Sequence, residues 1–406
     1  MTREPPISLE DAQARLLALA APLPLERVDI DSALGRYLAE PLRARRTQPF
    51  AALSAMDGYA VGEGDLAGPW QIVGESAAGH PFAGRFARGQ AIRISTGAVV
   101  PEDAAAVILQ EDVGRAGDRL TLTGEPPFPA HKHIRPRGMD FSEGAEVLAA
   151  GVRIGPAQLA LAISAGHAYI PVRRRPRVMV MDSGDELAAD PEACGAHQIP
   201  ASNGAMLAAM ARSVSCDVQR IGPVPDTMDD LAAAFAQAEQ ADVIVTSGGA
   251  SVGDHDLVRP ALETWGARIG FWRVAIKPGK PILVATRETA GRRQIILGLP
   301  GNPVSSHVTA YLFMLPLLRA LLGSGNPLPA SMPMRLDAPL PANGGRRAFV
   351  RALWQDDGVT AQPQQDSSAL ASLAASNVLL DRAAHAPAAA AGEVIRGYWL
   401  ENGGTA

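Results

Sequence analysis

Gln294-Ile-Ile-Leu-Gly-Leu-Pro-Gly-Asn-Pro-Val-Ser305 is the stretch on which the fold turns. Its first four residues are a short, largely apolar run and read as a buried strand. Glycine and proline from Gly298 to Gly301 end that run. Asn302 is a natural N-cap and Pro303 a natural first helical residue. A helix starting there offers free N–H groups and the positive end of its dipole, an arrangement that suits an anion. The same order occurs twice upstream. Val178-Met-Val-Met181 leads into Asp182-Ser-Gly-Asp-Glu-Leu187, and Asp242-Val-Ile-Val-Thr246 leads into Ser247-Gly-Gly-Ala-Ser-Val-Gly-Asp-His-Asp256. Helical patterns lie between, at Gly204 to Ser213 (capped by Ser202 or Asn203) and at Met228 to Gln240, with a further strand at Ile282 to Ala285. Strands alternating with helices predict a parallel sheet covered by helices. Loops at the carboxyl ends of such strands share one crevice, where open α/β sheets bind ligands.

Outward from this domain the texture changes. Ser8 reads as the N-cap of a helix to Leu19, with Glu10 and Asp11 in its first turn. Between about Pro49 and Glu143 the apolar runs are short and punctuated by glycine and proline. Trp70 to Val73, Ala91 to Ile94, Ala106 to Leu109 and Arg119 to Leu122 are expected strands. A helix is expected from Pro156 to Ala165, then an exposed arginine-rich connector, Arg173 to Arg177. After the linker Gly323 to Pro329 come strands at Met334 to Leu336, Ala348 to Trp354, Val359 to Gln362 and Val394 to Leu400. The fold class expected is a multidomain α/β protein with a central parallel-sheet domain, residues 176–325. Around it stand an elongated N-terminal helical and linker domain (1–46 and 144–175), a β-rich insertion (47–143) and a small C-terminal β-barrel-like domain (326–406). A chain of 406 residues is long enough for two to four domains.

Composition narrows the function. Net charge is −5, so no basic field covers the molecule and general nucleic-acid or anionic-membrane binding is not expected. The apolar stretch Val304 to Leu322 is interrupted by Ser305, Ser306, His307, Pro316 and Arg319, and reads as a buried helix rather than a membrane span. The N-terminus has no basic segment followed by an apolar core, and the two cysteines, Cys194 and Cys216, make no CxxC pair; a reducing, cytoplasmic setting is the expectation.

Lysine is almost absent. Of 37 basic residues three are lysine: Lys132, and the two in Ile276-Lys-Pro-Gly-Lys-Pro281. Where arginine serves nearly everywhere, two lysines held between prolines point to a place for compact ammonium groups, which suit phosphate or another oxyanion. The glycine loops also carry Asp182, Asp185, Glu186, Asp254 and Asp256. Carboxylates beside an anion site suit Mg²⁺, which is held by one or two of them plus substrate oxygens; helix capping is the alternative for Asp185 and Asp254. His131 and His133 have strand-pair metal spacing but no completing cluster, and His255 stands between two aspartates. Trp265 and Trp272 are expected in the core.

One more motif, Ser54-Ala-Met-Asp-Gly-Tyr-Ala60, completes a series with Ser95-Thr-Gly-Ala98, Arg135-Pro-Arg-Gly-Met-Asp140, Thr246 to Gly253, Ile276 to Pro281 and Gly298 to Ser305. In this order, over nearly the whole chain, the set resembles the molybdopterin molybdenumtransferases, which insert molybdate into adenylated molybdopterin. The resemblance implies a homodimer with each cleft shared between the α/β domain of one subunit and the β-rich domain of the other. It implies molybdate and adenylated molybdopterin as substrates, Mg²⁺ as cofactor, release of AMP, and transient contact with a molybdopterin adenylyltransferase. The family's essential positions fall on Asp57, Thr96, Asp140, Glu186, Asp226, Asp256, Arg273 and Lys277. Ser247, Gly248, Gly249, Ser251, Gly253, Lys280, Pro300, Gly301, Asn302 and Pro303 would bind the pterin substrate, and Glu186 and Asp256 the metal.

The chain departs from the family pattern in several places. Asp182 replaces the first residue of a usual Ser-Thr-Gly-Asp-Glu, and Ala201 an aspartate before Ser-Asn-Gly. Met139 replaces a glutamate, Ala51, Ala52 and Leu53 replace polar residues, and Asp366-Ser367-Ser368 replaces a Gly-Ser-Gly element. A tungstate-inserting relative, a non-catalytic molybdopterin-binding scaffold and an adenylyltransferase relative are the alternatives. The scaffold need not keep the carboxylates, and the adenylyltransferase would not need the domain carrying Met56-Asp57-Gly58-Tyr59.

Overall fold

The computed structural model describes residues 6–248, 257–279 and 282–400. Ser8 caps the first helix, α1 (Leu9–Leu17), its hydroxyl accepting the Asp11 N–H at 3.0 Å. Leu9, Ala12 and Leu16 form the helix's buried face and sit in the core of the α/β domain, across the chain. The segments that flank the β-rich insertion pair with each other. Leu25–Asp29 runs antiparallel to Tyr169–Arg173, and α2 (Pro156–Ser164) packs beside them.

The insertion folds as a six-stranded sheet of β1 (Gly58–Gly62), β2 (Trp70–Ser76), β3 (Gln90–Ile94), β4 (Ala104–Leu109), β5 (Val113–Ala116) and β6 (Arg119–Leu122), ordered β4-β1-β3-β2-β6-β5. All four expected strands are present. Alternation in β2 buries Trp70 and Ser76 at its ends and leaves Gln71 and Glu75 exposed.

The α/β domain contributes β7 (Arg177–Ser183), α3 (Asn203–Ser213), β8 (Asp217–Val224), α4 (Met228–Gln237), β9 (Val243–Ser247), α5 (Val258–Thr264), β10 (Arg268–Trp272), β11 (Ile282–Thr289) and β12 (Arg292–Leu299). The sheet order is β8-β7-β9-β12-β11-β10. The first four strands are parallel, as alternation predicts. β11 and β10 are antiparallel additions at one edge, because the tight turn at Ala290-Gly291 returns the chain as a hairpin. β9 is buried along its whole length, as a strand covered on both faces must be. Sequence periodicity missed β8, whose exposed Gln219 and Arg220 interrupt the apolar run. α4 ends at Gln237, short of the expected Gln240.

Pro303–Leu321 is one continuous helix, long and apolar enough to cross a membrane by length and composition, but 83% of its apolar window is buried inside the fold. It begins as α6 (Pro303–Thr309) and passes through a π-helical segment at Ala310–Met314. Pro316 has no N–H for the Leu312 carbonyl four residues before it. The buried Gln13 side chain of α1 donates to that carbonyl at 2.9 Å. The C-terminal sheet contains β13 (Met332–Arg335), β14 (Arg347–Gln355), β15 (Gly358–Ala361), β16 (Val378–Arg382) and β17 (Val394–Trp399). The two-residue strand Ile276–Lys277 adds to its edge beside β14, so the lysine loop is stitched to the C-terminal domain.

Candidate active site

The three glycine loops meet where the parallel strands end. β7, β9 and β12 deliver Asp182, Ser247 and Pro300 to a pocket of about 850 Å³, with Ser368 of the C-terminal domain on its wall. Close approach explains the glycines. Gly248 has φ +92°, and a Cβ there would lie 3.1 Å from the Ser183 carbonyl oxygen. A Cβ on Gly301 would lie 3.9 Å from the Gly248 Cα, so the second and third loops run side by side. The Gly248 N–H donates to the Leu299 carbonyl at 3.1 Å. Asn203 bridges the two loops, its side-chain amide donating to Ser247 Oγ at 2.9 Å and to the Gly301 carbonyl at 2.6 Å.

Two expected caps are made differently. Neither Ser202 nor Asn203 caps α3 through its side chain. Asp182 does so from β7, accepting the Gly204 N–H at 3.0 Å. This carboxylate is buried, with the Arg220 guanidinium 3.9 Å away. Burial pushes its pKa up to about 6, against the pull of Arg220 and the Gly204 N–H. At α6, Asn302 holds the N-cap position but its amide donates to Ser367 Oγ at 3.2 Å, while the Ser367 carbonyl accepts the Val304 N–H at 3.1 Å. The chain's Asp366-Ser367-Ser368 departure therefore lies at the pocket.

Of the expected site residues, Glu186, Ser247, Gly248, Pro300, Gly301, Asn302 and Pro303 line this pocket. Glu186 is exposed and lies close over Gly184, where an added Cβ would come 2.4 Å from Glu186 Oε2. Asp226 joins the same carboxylate group, its N–H donating to Asp185 Oδ1 at 3.1 Å. Its pKa is raised, first by burial and then by the charges of Asp185 and Glu186. Arg273 and Lys277 are exposed and are not among the pocket-lining residues. Gly279, with φ +102°, lets the lysine loop pass against α6, since a Cβ there would lie 2.6 Å from Thr309 Cγ2. Gly249, Ser251, Gly253, Asp254, His255, Asp256 and Lys280 lie outside the described residues, as does the Trp272 side chain.

Asp57 and Thr96 are brought together elsewhere. Thr96 donates to Asp57 Oδ1 from its N–H at 2.6 Å and its hydroxyl at 2.9 Å. These bonds, the backbone one first, hold the Asp57 carboxyl below the usual range, and Arg93 adds to them. The Met-Asp-Gly-Tyr motif is the entry into β1. Gly58 pairs with both Ile94 and Leu109, and a Cβ on it would lie 2.0 Å from the Ile108 carbonyl oxygen. Asp140 is exposed, and its N–H is tied to the Gln48 carbonyl at 3.1 Å. Among the described residues none that lines the pocket comes from 47–143.

His131 and His133 sit in a single 3₁₀ turn, Ala130–His133, not on a strand. Among the described residues no group of three or more His, Cys, Asp or Glu could hold a metal. Trp265 is stacked on Phe235 at 5.4 Å, and the Arg287 guanidinium lies over the Trp265 ring at 4.0 Å, a packing role as expected.

Three family models match in chain order: the MoeA N-terminal region (domain I and II) over residues 7–166, the probable molybdopterin binding domain over 179–320, and the MoeA C-terminal region (domain IV) over 333–398. The chain is 36% identical to the molybdopterin molybdenumtransferase of Haemophilus influenzae over 321 residues, 78% of each protein. It is 33% identical to that of Synechococcus elongatus over 381 residues, 90% of this chain and 93% of that one. A solved molybdopterin biosynthesis moea protein from Pyrococcus horikosii matches with a TM-score of 0.77 at 26% identity, over 99% of this chain and 100% of that one. Order of domains, extent of match and identity agree: the chain belongs to the molybdopterin molybdenumtransferase family.

Proposed function

We propose that the protein is a transferase of molybdenum cofactor biosynthesis that inserts molybdate into adenylated molybdopterin and releases AMP. One observation carries this reading: three glycine loops and a helix N-terminus converge on a pocket of about 850 Å³, walled by Glu186, Ser247 and Asn302. Such a pocket admits a pterin-sized ligand, and the helix that starts at Pro303 presents the positive end of its dipole to a phosphate. Fixed dipoles of this kind orient phosphate oxygens and favour charge that develops as the phosphate ester is cleaved. Lys277, Lys280 and Arg273 would neutralise phosphate and molybdate from the lysine loop beside α6.

Mg²⁺ is the cofactor this reading calls for. Burial with the charges of Asp185 and Glu186 raises the pKa of Asp226, and a cation relieves that repulsion. A site with few protein carboxylates suits Mg²⁺, which keeps waters and substrate oxygens as ligands. Glu186 and Asp256 would hold it, and when bound it would supply charge neutralisation at the phosphates.

The active unit on this reading is a homodimer. Asp57, Thr96 and Asp140 reach the pocket from the partner subunit, which accounts for an exposed, pre-ordered Asp57–Thr96 pair outside the pocket lining. The adenylated substrate would be received through transient contact with an adenylyltransferase, in the cytoplasm. The direct test is AMP release from adenylated molybdopterin with and without molybdate. Molybdate-dependent release is expected; release indifferent to molybdate, or none, would sink the proposal.

A further inference from the structure

Asp182 is a carboxylate buried at the floor of the pocket. The unfavourable surroundings of a buried charge make it a costly choice for a mere cap. Its bond to the Gly204 N–H reaches the start of α3, one residue after Asn203. The fit is close: any Cβ on Gly204 would lie 2.0 Å from Asp182 Oδ2. Asn203 in turn bridges the Ser247 and Gly301 loops through its side-chain amide, at 2.9 and 2.6 Å. Asp182 is also the register partner of Ser247 across β7 and β9. One carboxylate thus ties the sheet to the helix start, and the helix start to both glycine loops. Ala201, where the family pattern has an aspartate, lines the same pocket. Against that pattern the chain has no carboxylate at position 201 and carries one at position 182, near the end of β7.

We infer that Asp182 is a positioning residue: by holding the N-terminus of α3 it fixes the Asn203 bridge and so sets the spacing of the two glycine loops that receive the pterin phosphate. The inference rests on the function proposed above for the pocket. Arg220, on β8, is the charged side chain facing Asp182, and at 3.9 Å it is too far for a direct hydrogen bond. The helix start is therefore the partner that orients the carboxylate.

The test uses full-length protein with the variants Asp182→Ala, Asp182→Asn, Asn203→Ala and the double variant Asp182→Ala/Asn203→Ala. Loss of one buried, well-made hydrogen bond should raise KM and Kd for adenylated molybdopterin about tenfold in either alanine variant, with kcat changed less. Residues acting in one chain are not additive, so the double variant should be no worse than about the poorer single. Asp182→Asn keeps an oxygen for the Gly204 N–H and should recover most of the affinity. Hydrogen exchange on the ligand-free protein gives a readout independent of activity. Asp182→Ala should speed exchange in segments 203–206 and 300–304, and Asn203→Ala chiefly in the second. Additive losses in the double variant, no rescue by asparagine, or unchanged exchange in 300–304 would each overturn the inference. A wild-type protein that fails to bind adenylated molybdopterin, with the exchange pattern as expected, would instead count against the proposed function alone.

Discussion

The pocket of the α/β domain and the Asp57–Thr96 pair of the β-rich domain are built on opposite plans. Around the pocket the holding partners are buried or half-buried: Asp182, buried under α3, and Asn203 and Ser367, half-buried, between two loops and against the start of α6. In the β-rich domain the pair is equally well ordered, with two bonds into one carboxylate oxygen, yet both residues are exposed. Order without enclosure is what the proposed shared cleft would require of the half supplied by Asp57 and Thr96. Pre-organisation by hydrogen bonds, more than burial, is what the candidate site residues of the two regions share.

The largest effect should come from breaking the charge at the pocket mouth. Glu186→Gln keeps shape and removes charge, and molybdate insertion is expected to fall roughly a hundredfold or more with the fold intact. Activity lost in step with thermal stability would assign Glu186 a structural role instead. The comparison itself is tested by mixing Asp57→Ala subunits with Glu186→Ala subunits. A shared cleft leaves one wild-type site in each heterodimer, so part of the activity should return. No recovery in well-exchanged mixtures would place both halves in one subunit.

How much of this could be read beforehand differs between the two regions for a physical reason. Loops after β7, β9 and β12 were legible because apolar runs ending in glycine leave a local signature. Their convergence followed from the parallel sheet. The Asn203 bridge and the Asp182 cap were not legible as such: each joins residues far apart in sequence, and Ser202 offered a plausible local cap that the fold does not use. The same holds for Ser367, whose contact with α6 spans two domains. The antiparallel edge of the sheet was missed because β11 alone carries no sign of its direction; the Ala290-Gly291 turn does. Asp57 and Thr96 were recognisable as motif members, but the bond between them joins two strand ends that only the sheet order β1-β3 makes adjacent.

A smaller effect is expected at the lysine loop. Lys277 is exposed on the strand that adds to the C-terminal sheet, free of the enclosure seen around Asp182. A charge-assisted bond to an oxyanion is worth about 1.5–3 kcal/mol. Lys277→Ala should then weaken turnover by roughly tenfold to a hundredfold. Lys277→Arg should fall between, since a planar fork does not replace a compact ammonium group. Wild-type kinetics for the arginine variant across molybdate concentrations would make the lysine incidental.

The smallest effect sharpens the contrast between the regions through its sign. Asp182 has its pKa raised to about 6 by burial, so between the ordinary carboxylate range and pH 6 the folded protein binds more protons than the unfolded chain. Its contribution to stability therefore declines as pH rises through that window, by at most about 1.4 kcal/mol per unit of pH. Asp57, held low by Thr96, runs the other way: its contribution is present above the ordinary carboxylate range and is lost as pH falls through its depressed pKa. Urea unfolding of Asp182→Asn and Asp57→Asn, each compared with wild type from pH 2 to 8, separates the two. The Asp182→Asn protein should gain on wild type as pH rises to 6 and hold that gain above it. The Asp57→Asn protein should lose ground as pH rises from its acid limit to the ordinary carboxylate range and stay behind, by a constant margin, above it. Differences that do not change with pH would mean that neither carboxylate titrates with folding, and the contrast between an enclosed and an exposed half-site would have no electrostatic basis.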